Sequence, residues 1–363
     1  MDPKKHKFYI EKLKSITYIK QDHWDIFKEI FFNKISNFSE FKNFRINGLS
    51  NMLETGLPSE DLEETLKGKN YSIEYNSFEK KEVEKRFKQL YEMMGEEIFI
   101  IPFNKLIGNP RNHKFIFKSK NFFLNFDDLY HVYSAWQIKR ICTLLHKVPS
   151  TILEIGAGYG NLASKLKTIF KNSKYIIIDL PEVLLIQNYY LNTFDSNLKI
   201  INLIDNSKTN FQDLYNQNFD VALIPFNEFK NLKNIPFELA INTRSFGEMP
   251  KEVLLNYIKW IEDNICFDGL LYNTNRYVFT KSKDKNKIRD YPYDNFWEPI
   301  ISQPQWLQTH LHEFLLLRKR EEEKIPLKVK LNSFPIETPP PGPIMEDIQT
   351  QKDWLKAQGI YKK

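Results

Sequence analysis

Leu153-Glu154-Ile155-Gly156-Ala157-Gly158-Tyr159-Gly160-Asn161-Leu162-Ala163 is the stretch on which the fold turns. To its left, Thr151-Ile152-Leu153-Glu154-Ile155 reads as a short buried strand. To its right, Leu162 to Phe170 carries apolar residues at helical spacing. Three alternate glycines at the junction allow a sharp turn and leave no side chains between the backbone and a ligand. A strand, a glycine-rich turn and a helix N-terminus in that order make a nucleotide-type cofactor site. The dinucleotide pattern G-x-G-x-x-G would need glycine at position 161, where this chain has Asn161.

A second buried run, Lys174-Tyr175-Ile176-Ile177-Ile178-Asp179, ends in an acid about twenty residues after the glycines, where dinucleotide folds place the acid that takes the ribose hydroxyls. Glycine turns joining strand to helix also occur in other α/β proteins. A nicotinamide site and a plain structural turn therefore stay open at this point.

With 363 residues the chain has room for one α/β domain and a sizeable addition, and 42% apolar content supports a real core. The net charge of +6 is small for this length and argues against a dedicated nucleic-acid binder. Aromatic residues reach 15%, which would suit sugar stacking. The joint abundance of Phe, Tyr, Ile, Asn and Lys is the blander cause, as from an AT-rich genome. Cys142 and Cys266, the only cysteines, lie in apolar segments and read as two buried thiols, so the cytoplasm is the expected location. The basic start, Met1 to Lys7, is followed by no apolar run of signal-peptide length, and no membrane span is expected.

The pattern divides the chain into residues 1–108, 109–320 and 321–363. The first part is helical and charged, with pieces at Gln21 to Ile35 and Phe78 to Met94 and helix-stop signals at Gly48, Gly56-Leu57-Pro58 and Gly95. It reads as an accessory region that covers the site or binds an acceptor, with packing or a dimer surface equally open. In the second part a hairpin is expected from His113-Lys114-Phe115-Ile116-Phe117 and Asn121-Phe122-Phe123-Leu124-Asn125. A helix follows from Leu129 to His146, capped by Asp127-Asp128. Later strands are expected at Lys174 to Ile178, Phe219 to Ile224, Phe237 to Ile241, Gly269 to Asn273 and His312 to Leu317, with a short inserted strand at Lys199 to Ile204. Strands alternating with helices predict an α/β fold with a doubly wound, mostly parallel sheet. The tail holds a charge run after Arg318, the Pro-rich Thr338 to Pro343, and a short helical pattern at Asp353 to Gln358.

The motif E-x-G-x-G-x-G at Glu154 to Gly160 is the first motif of class I S-adenosylmethionine (SAM) methyltransferases. Further matches are Ile178-Asp179-Leu180-Pro181-Glu182-Val183, Asn242-Thr243-Arg244-Ser245-Phe246-Gly247-Glu248-Met249, Tyr272-Asn273-Thr274-Asn275-Arg276-Tyr277 and Glu313-Phe314-Leu315-Leu316-Leu317-Arg318. On these motifs the chain resembles the sugar O-methyltransferase family, class I enzymes associated with bacterial surface polysaccharide and glycoside biosynthesis. The resemblance implies a Rossmann-like class I methyltransferase domain, SAM as cofactor, and methyl transfer to a hydroxyl of a sugar or glycoside acceptor.

The same resemblance places SAM over Gly156, Gly158 and Gly160, with Asp179 on the ribose, Glu154 near the methionine end and Asn227 at the adenine. Asn242, Arg244, Asn275 and Arg276 are expected to line the acceptor pocket. Asn242-Thr243-Arg244-Ser245 lacks the prolines and aromatic of the [DN]-P-P-[YF] motif of base methyltransferases, which counts against nucleic acid as acceptor. Arg244 suits either an anionic group such as a sugar phosphate or a salt bridge to Glu248 or another acid. A sugar hydroxyl needs a base in reach, and the candidates are Glu248, at the start of the helix after the fourth strand, His131, and the His310-Leu311-His312 pair, with Glu248 and His131 preferred. His310 and His312 would share one strand face and, with Asp127 or Asp128, are the nearest approach to a metal site; no metal is expected. A homo-oligomer is left open, as are two other readings: a Rossmann-like protein that binds SAM or a nucleotide without catalysis, and a methyltransferase for a small-molecule, lipid or protein acceptor.

Overall fold

The computed structural model of the chain describes residues 1–14, 25–46, 74–103, 105–204, 216–232, 235–277, 287–308 and 311–334. Its strands are β1 (His113–Phe117), β2 (Lys120–Leu124), β3 (Thr151–Ile155), β4 (Lys174–Asp179), β5 (Ile200–Asn202), β6 (Val221–Pro225), β7 (Phe237–Thr243), β8 (Ile265–Arg276), β9 (Trp297–Pro304) and β10 (Leu311–Arg318). The helices are α1 (Pro3–Lys14), α2 (Asp25–Ser36), α3 (Phe38–Lys42), α4 (Ser77–Met94), α5 (Phe126–Leu144), α6 (Asn161–Ile169), α7 (Pro181–Phe194), α8 (Lys251–Asn264) and α9 (Leu327–Leu331).

β1 and β2 form the expected hairpin, and the other eight strands make one sheet in the order β5-β6-β4-β3-β7-β8-β10-β9. All pairs from β5 to β8 are parallel, while β10 runs antiparallel to both β8 and β9. The fold is therefore Rossmann-like α/β, as the alternating pattern predicts. β3 and β6 are buried along their whole length, because a sheet covered on both faces turns its strands into unbroken apolar runs. Successive residues point to opposite faces, so Ile152, Tyr175 and Ile177 join one core with α4 to α7, and Leu153, Ile155 and Ile176 join the other with α8 and α9.

α5 is buried almost all round, since it lies between the sheet and the N-terminal helices. Its cap is Asn125, whose side chain accepts from Asp128 N at 3.2 Å; Asp127 and Asp128, the expected caps, stand instead in the first buried turn. There Asp128 forms an ion pair with Lys165 of α6 at 2.7 Å, both side chains fully buried, and Lys165 also donates to Pro102 O. Helices α1 and α7 meet through Asn188, which donates to the Tyr9 hydroxyl at 3.2 Å. The hairpin packs on α4 through Phe87, whose ring lies 4.8 Å from Phe122 and 5.5 Å from Phe115.

β9 is an element the sequence pattern does not announce. Pro299 and Pro304 lie within it, and prolines are accepted there because β9 is the edge strand and pairs on one side only. The stop at Gly95 ends α4, with φ +59°. Gly48, Gly56, residues 21–24, 338–343 and 353–358 lie outside the described residues. Cys142 is a buried free thiol and Cys266 a half-buried one. Among the described residues no helix is long and apolar enough to cross a membrane.

The Lys165–Asp128 pair should dominate the α5–α6 contact. Asp128→Ala leaves a buried ammonium without its counter-charge and should destabilise the protein by about 3–5 kcal/mol, whereas replacing both residues by apolar ones of similar volume should cost much less. Urea unfolding of the single and double variants checks this; equal losses in the two would remove the pair from the account.

Candidate functional site

The chain runs from β3 outward to β4, then returns to the other side of β3 as β7, so neighbouring connections diverge between β3 and β7. In open α/β sheets the crevice outside the carboxyl ends of such strands is where ligands bind. The glycine turn stands on one side of this crevice and residues 242–248 on the other.

Gly156, Gly158 and Gly160 have φ of +71°, +58° and +94°, a left-handed run that L-residues resist. Gly156 N donates to Ile178 O at 2.9 Å, and Gly160 N to Ala157 O at 3.0 Å. A Cβ on Gly156 would lie 2.6 Å from Ser245 Cβ and one on Gly160 3.4 Å from Leu191. The space that a side chain on Gly156 would take is thus filled by Ser245, because the β7 turn packs straight onto the glycine turn. Gln187 closes the other flank: its Nε2 donates to Gly158 O at 2.8 Å and to Asp179 Oδ2 at 2.7 Å. Asp179 Oδ1 accepts from Leu180 N at 2.8 Å, and Ala157 N also points to this carboxyl. Burial nonetheless pushes Asp179 up to about 7. Glu154 lies fully buried on β3, where burial raises its carboxyl to about 8 although the Tyr175 hydroxyl donates to it at 2.6 Å. Glu154 Oε1 and Gln187 Oε1 are buried without a hydrogen-bond partner among the described residues.

Across the crevice, Asn242 is fully buried and its side chain is saturated by protein groups. Nδ2 donates to Ile155 O and Ser245 Oγ, and Oδ1 accepts from Phe246 N and Asn275 Nδ2. Asn275 in turn donates to Asn273 and accepts from Gly247 N at 3.1 Å, and Asn273 donates to the Tyr293 hydroxyl. Asn242 and Asn275 were expected on the acceptor; in the structure they tie the turn after β7 to β3 and β8, since a buried amide takes whatever partners the neighbouring strands present.

Arg244 follows on that turn with φ +66°, and its N–H donates to Thr274 O at 2.7 Å. Its Nη2 lies 3.4 Å from Asp127 Oδ1 and 3.3 Å from His131 Nε2. The salt bridge of Arg244 is thus to Asp127, one of the two outcomes its position allows. Asp127 Oδ2 accepts from the Tyr159 hydroxyl at 2.8 Å and from Asn161 Nδ2 at 3.4 Å, and lies 3.4 Å from His131 Nε2. Burial alone would raise the Asp127 carboxyl, but His131, Arg244 and Arg45 hold it well below the usual range. Burial pushes His131 down and outweighs the pull of Asp127, so the ring is neutral at pH 7. One ring nitrogen cannot donate to Asp127 and accept from Arg244 at once, so the tautomer decides which contact forms. Arg45 arrives from the N-terminal part, stacks over the Tyr159 ring at 4.6 Å and donates to Asn125 Oδ1 at 3.1 Å.

Glu248 lies half-buried in a 3₁₀ turn, Phe246–Glu248, before Pro250 rather than in the helix α8 where the pattern put it. Asn227 follows β6, is exposed, and donates to its neighbour Glu228 at 3.2 Å. Arg276 ends β8 half-buried beside Leu311 of β10. His312 projects with Phe314 to the sheet face opposite α5, away from Asp127 and Asp128, and bonds Ser302 Oγ at 2.8 Å; burial and Arg289 lower it to about 3. His310 lies outside the described residues, among which no group of three or more His, Cys, Asp or Glu is placed to hold a metal ion. Gln187, Tyr159, Ser245 and Arg45 are the site residues that sequence reasoning missed. Gln187 left a signal, as the first polar break in Val183-Leu184-Leu185-Ile186-Gln187.

No protein-family profile matches the chain, and no curated protein matches it. Among solved structures it is similar to the pyocyanin biosynthetic protein PhzM, at 11% identity over 52% of this chain and 56% of that one, with a TM-score of 0.36. The chain thus matches little more than half the length of that relative. It is also similar to the N-methyltransferase NodS from Bradyrhizobium japonicum WM9, in complex with S-adenosylhomocysteine (11% identity, 53% and 88% covered, TM-score 0.34). A third is magnesium protoporphyrin IX methyltransferase from Synechocystis PCC 6803 with bound SAM (11% identity, 53% and 81% covered, TM-score 0.35).

Two outcomes follow from this geometry. Gly156→Ala should destabilise the protein by at least about 1–2 kcal/mol from the left-handed backbone, with a further loss from the Ser245 contact that Ser245→Gly relieves. Strict additivity of the two in urea unfolding would remove the contact. For Glu154 and Asp179, folded pKa values above the ordinary 4.5 and 3.8 mean that the folded protein holds more protons than the unfolded chain between about pH 4 and 8. Their contribution to stability is complete below that window and is lost as pH rises through it. Glu154→Gln, which mimics the protonated side chain, should therefore gain on the wild type from pH 5 to pH 8; a constant difference would contradict the shift.

Proposed function

We propose that the chain is a SAM-dependent O-methyltransferase acting on a sugar hydroxyl. The observation that supports it most is the pairing of the glycine turn with Asp179 by Gln187 and Ala157, at the divergence point of the sheet. A ribose needs an acceptor for its hydroxyls there, and Asp179, which already accepts from Leu180 N, Gln187 Nε2 and Ala157 N, keeps about one lone-pair site for a hydroxyl. Buried unpartnered oxygens on Glu154 and Gln187 fit a polar cofactor better than an apolar one. SAM, when bound, supplies a methyl on a sulfonium, open to attack by a nucleophile in line with the sulfur. Asn227 is proposed at the adenine edge, and Arg276 with the turn after β7 at the acceptor. The sugar assignment rests on the motif resemblance.

The protein's own part is to align the acceptor and take its proton. His131 suits this because its ring is neutral and Asp127 stands ready to stabilise the protonated form. Glu248 is the second candidate, on the rim of the same crevice. We read residues 1–108 as an accessory region, 109–320 as the catalytic unit and 321–363 as a tail. Arg45 on the Tyr159 ring gives the accessory region a direct hold on the glycine turn.

S-adenosylhomocysteine should bind, and Asp179→Ala should weaken it by about 1–3 kcal/mol. Incubation with SAM and a sugar panel should add one methylene to the acceptor mass. His131→Ala or Glu248→Gln should then lower turnover about 100- to 10,000-fold with cofactor affinity nearly unchanged, and EDTA should have no effect. Binding without product across all acceptor classes would leave a non-catalytic cofactor-binding protein, and product only on a non-sugar acceptor would refute the sugar.

A further inference from the structure

Arg244 is over-provided with donors for the partner it has. A guanidinium presents five N–H groups in a rigid fork, and its usual carboxylate partner takes two of them side by side at 2.7–2.9 Å. Here Asp127 takes a single contact at 3.4 Å, and the Asp127 carboxylate already accepts from Tyr159 and Asn161. Arg244 Nη1 is buried and has no hydrogen-bond partner among the described residues. A buried orphan donor on a charged group costs free energy that the protein recovers only when something accepts from it. Lys165 does not compete for that role, because Asp128 and Pro102 O already hold it.

The backbone tells the same story. Arg244 adopts φ +66°, a conformation that costs an arginine and that glycine or asparagine would take readily. Thr274 O pins this turn through the Arg244 N–H, so the side chain is directed inward over Asp127 and His131 rather than left to solvent. Its side chain is 16% exposed although Nη1 itself is covered, so an anion meets the guanidinium at its open edge and reaches Nη1 once the fork turns toward the crevice.

We infer that Arg244 is the receptor for an anionic group, a carboxylate or a phosphate, bound in the crevice between the glycine turn and the turn after β7. The inference rests on the proposed reading of that crevice as a cofactor and acceptor site. Two sources carry such an anion there: the carboxylate at the methionine end of SAM, and a phosphate or carboxylate on the acceptor. Asp127 and His131 then serve as the backing for Nη2, and a small turn of the guanidinium about that side brings Nη1 to the arriving anion.

Calorimetric titration of the full chain decides the matter with three probes: S-adenosylhomocysteine, 5′-methylthioadenosine, which lacks the amino-acid part, and inorganic phosphate added to the S-adenosylhomocysteine complex. Arg244→Asn removes the charge and suits the left-handed backbone. Arg244→Lys keeps Asp127 a counter-charge, and carries the same readouts should the first variant fail to fold. A loss of S-adenosylhomocysteine affinity of about 10- to 100-fold with methylthioadenosine unchanged assigns the anion to the cofactor. Unchanged S-adenosylhomocysteine affinity with loss of a phosphate site present in the wild type assigns it to the acceptor. Lysine should restore only part of either effect, because it lacks the fork. S-adenosylhomocysteine affinity within twofold of wild type, with phosphate binding absent or unaltered, overturns the inference. If the wild type fails to bind S-adenosylhomocysteine, the cofactor reading falls; phosphate titration of the free protein then still judges Arg244, supporting it if binding is lost in the variants and refuting it otherwise.

Discussion

Burying the Asp127 carboxylate obliges distant parts of the chain to surround it. It stands in the first turn of α5, ionised, and draws the Tyr159 hydroxyl from the glycine turn, Asn161 from the start of α6, and Arg244 from the turn after β7. Arg45 adds the N-terminal part by stacking on the same tyrosine and bonding the cap of the same helix. An ionised carboxylate without such partners would be prohibitive in this interior. The crevice is therefore shaped by one buried charge as much as by the sheet. Beside it the Lys165–Asp128 pair locks α5 to α6.

That arrangement changes how the glycine turn is understood. Its glycines are needed for the left-handed backbone and for protein neighbours: Ser245 fills the space over Gly156, and Leu191 borders Gly160. Polar groups left without a hydrogen-bond partner among the described residues lie elsewhere around the turn: Glu154 Oε1, Gln187 Oε1 and Arg244 Nη1. The two sides of the crevice thus differ in character. Carboxyl groups held near neutrality face the β3 and β4 ends, and a guanidinium faces the β7 end.

Local features were legible in the residue pattern. Core strands buried on both faces announce themselves as apolar runs, and Gly156 to Gly160 announces the turn between strand and helix. Long-range partners were not. Asn242 and Asn275 look available in sequence, but the neighbouring strands present amide and hydroxyl groups that use them up. Asp127-Asp128 reads as a cap because the true cap, Asn125, lies two residues earlier and Lys165 is far along the chain. His312 seems to neighbour Asp127 only until strand alternation sends it to the other face. β9 hides behind its prolines, which an edge strand accepts. Arg45 gives no local sign of reaching the glycine turn, because Asn125 and Tyr159, which it meets there, lie 80 or more residues away in sequence.

Hydrogen–deuterium exchange with and without saturating S-adenosylhomocysteine tests the cofactor reading most directly, since it reports on each side of the crevice without altering a residue. The account predicts slower exchange confined to segments around 154–166, 178–188 and 242–249, with the outer hairpin at 113–124 unchanged. Identical exchange in those three segments, or protection centred elsewhere on the chain, would contradict it.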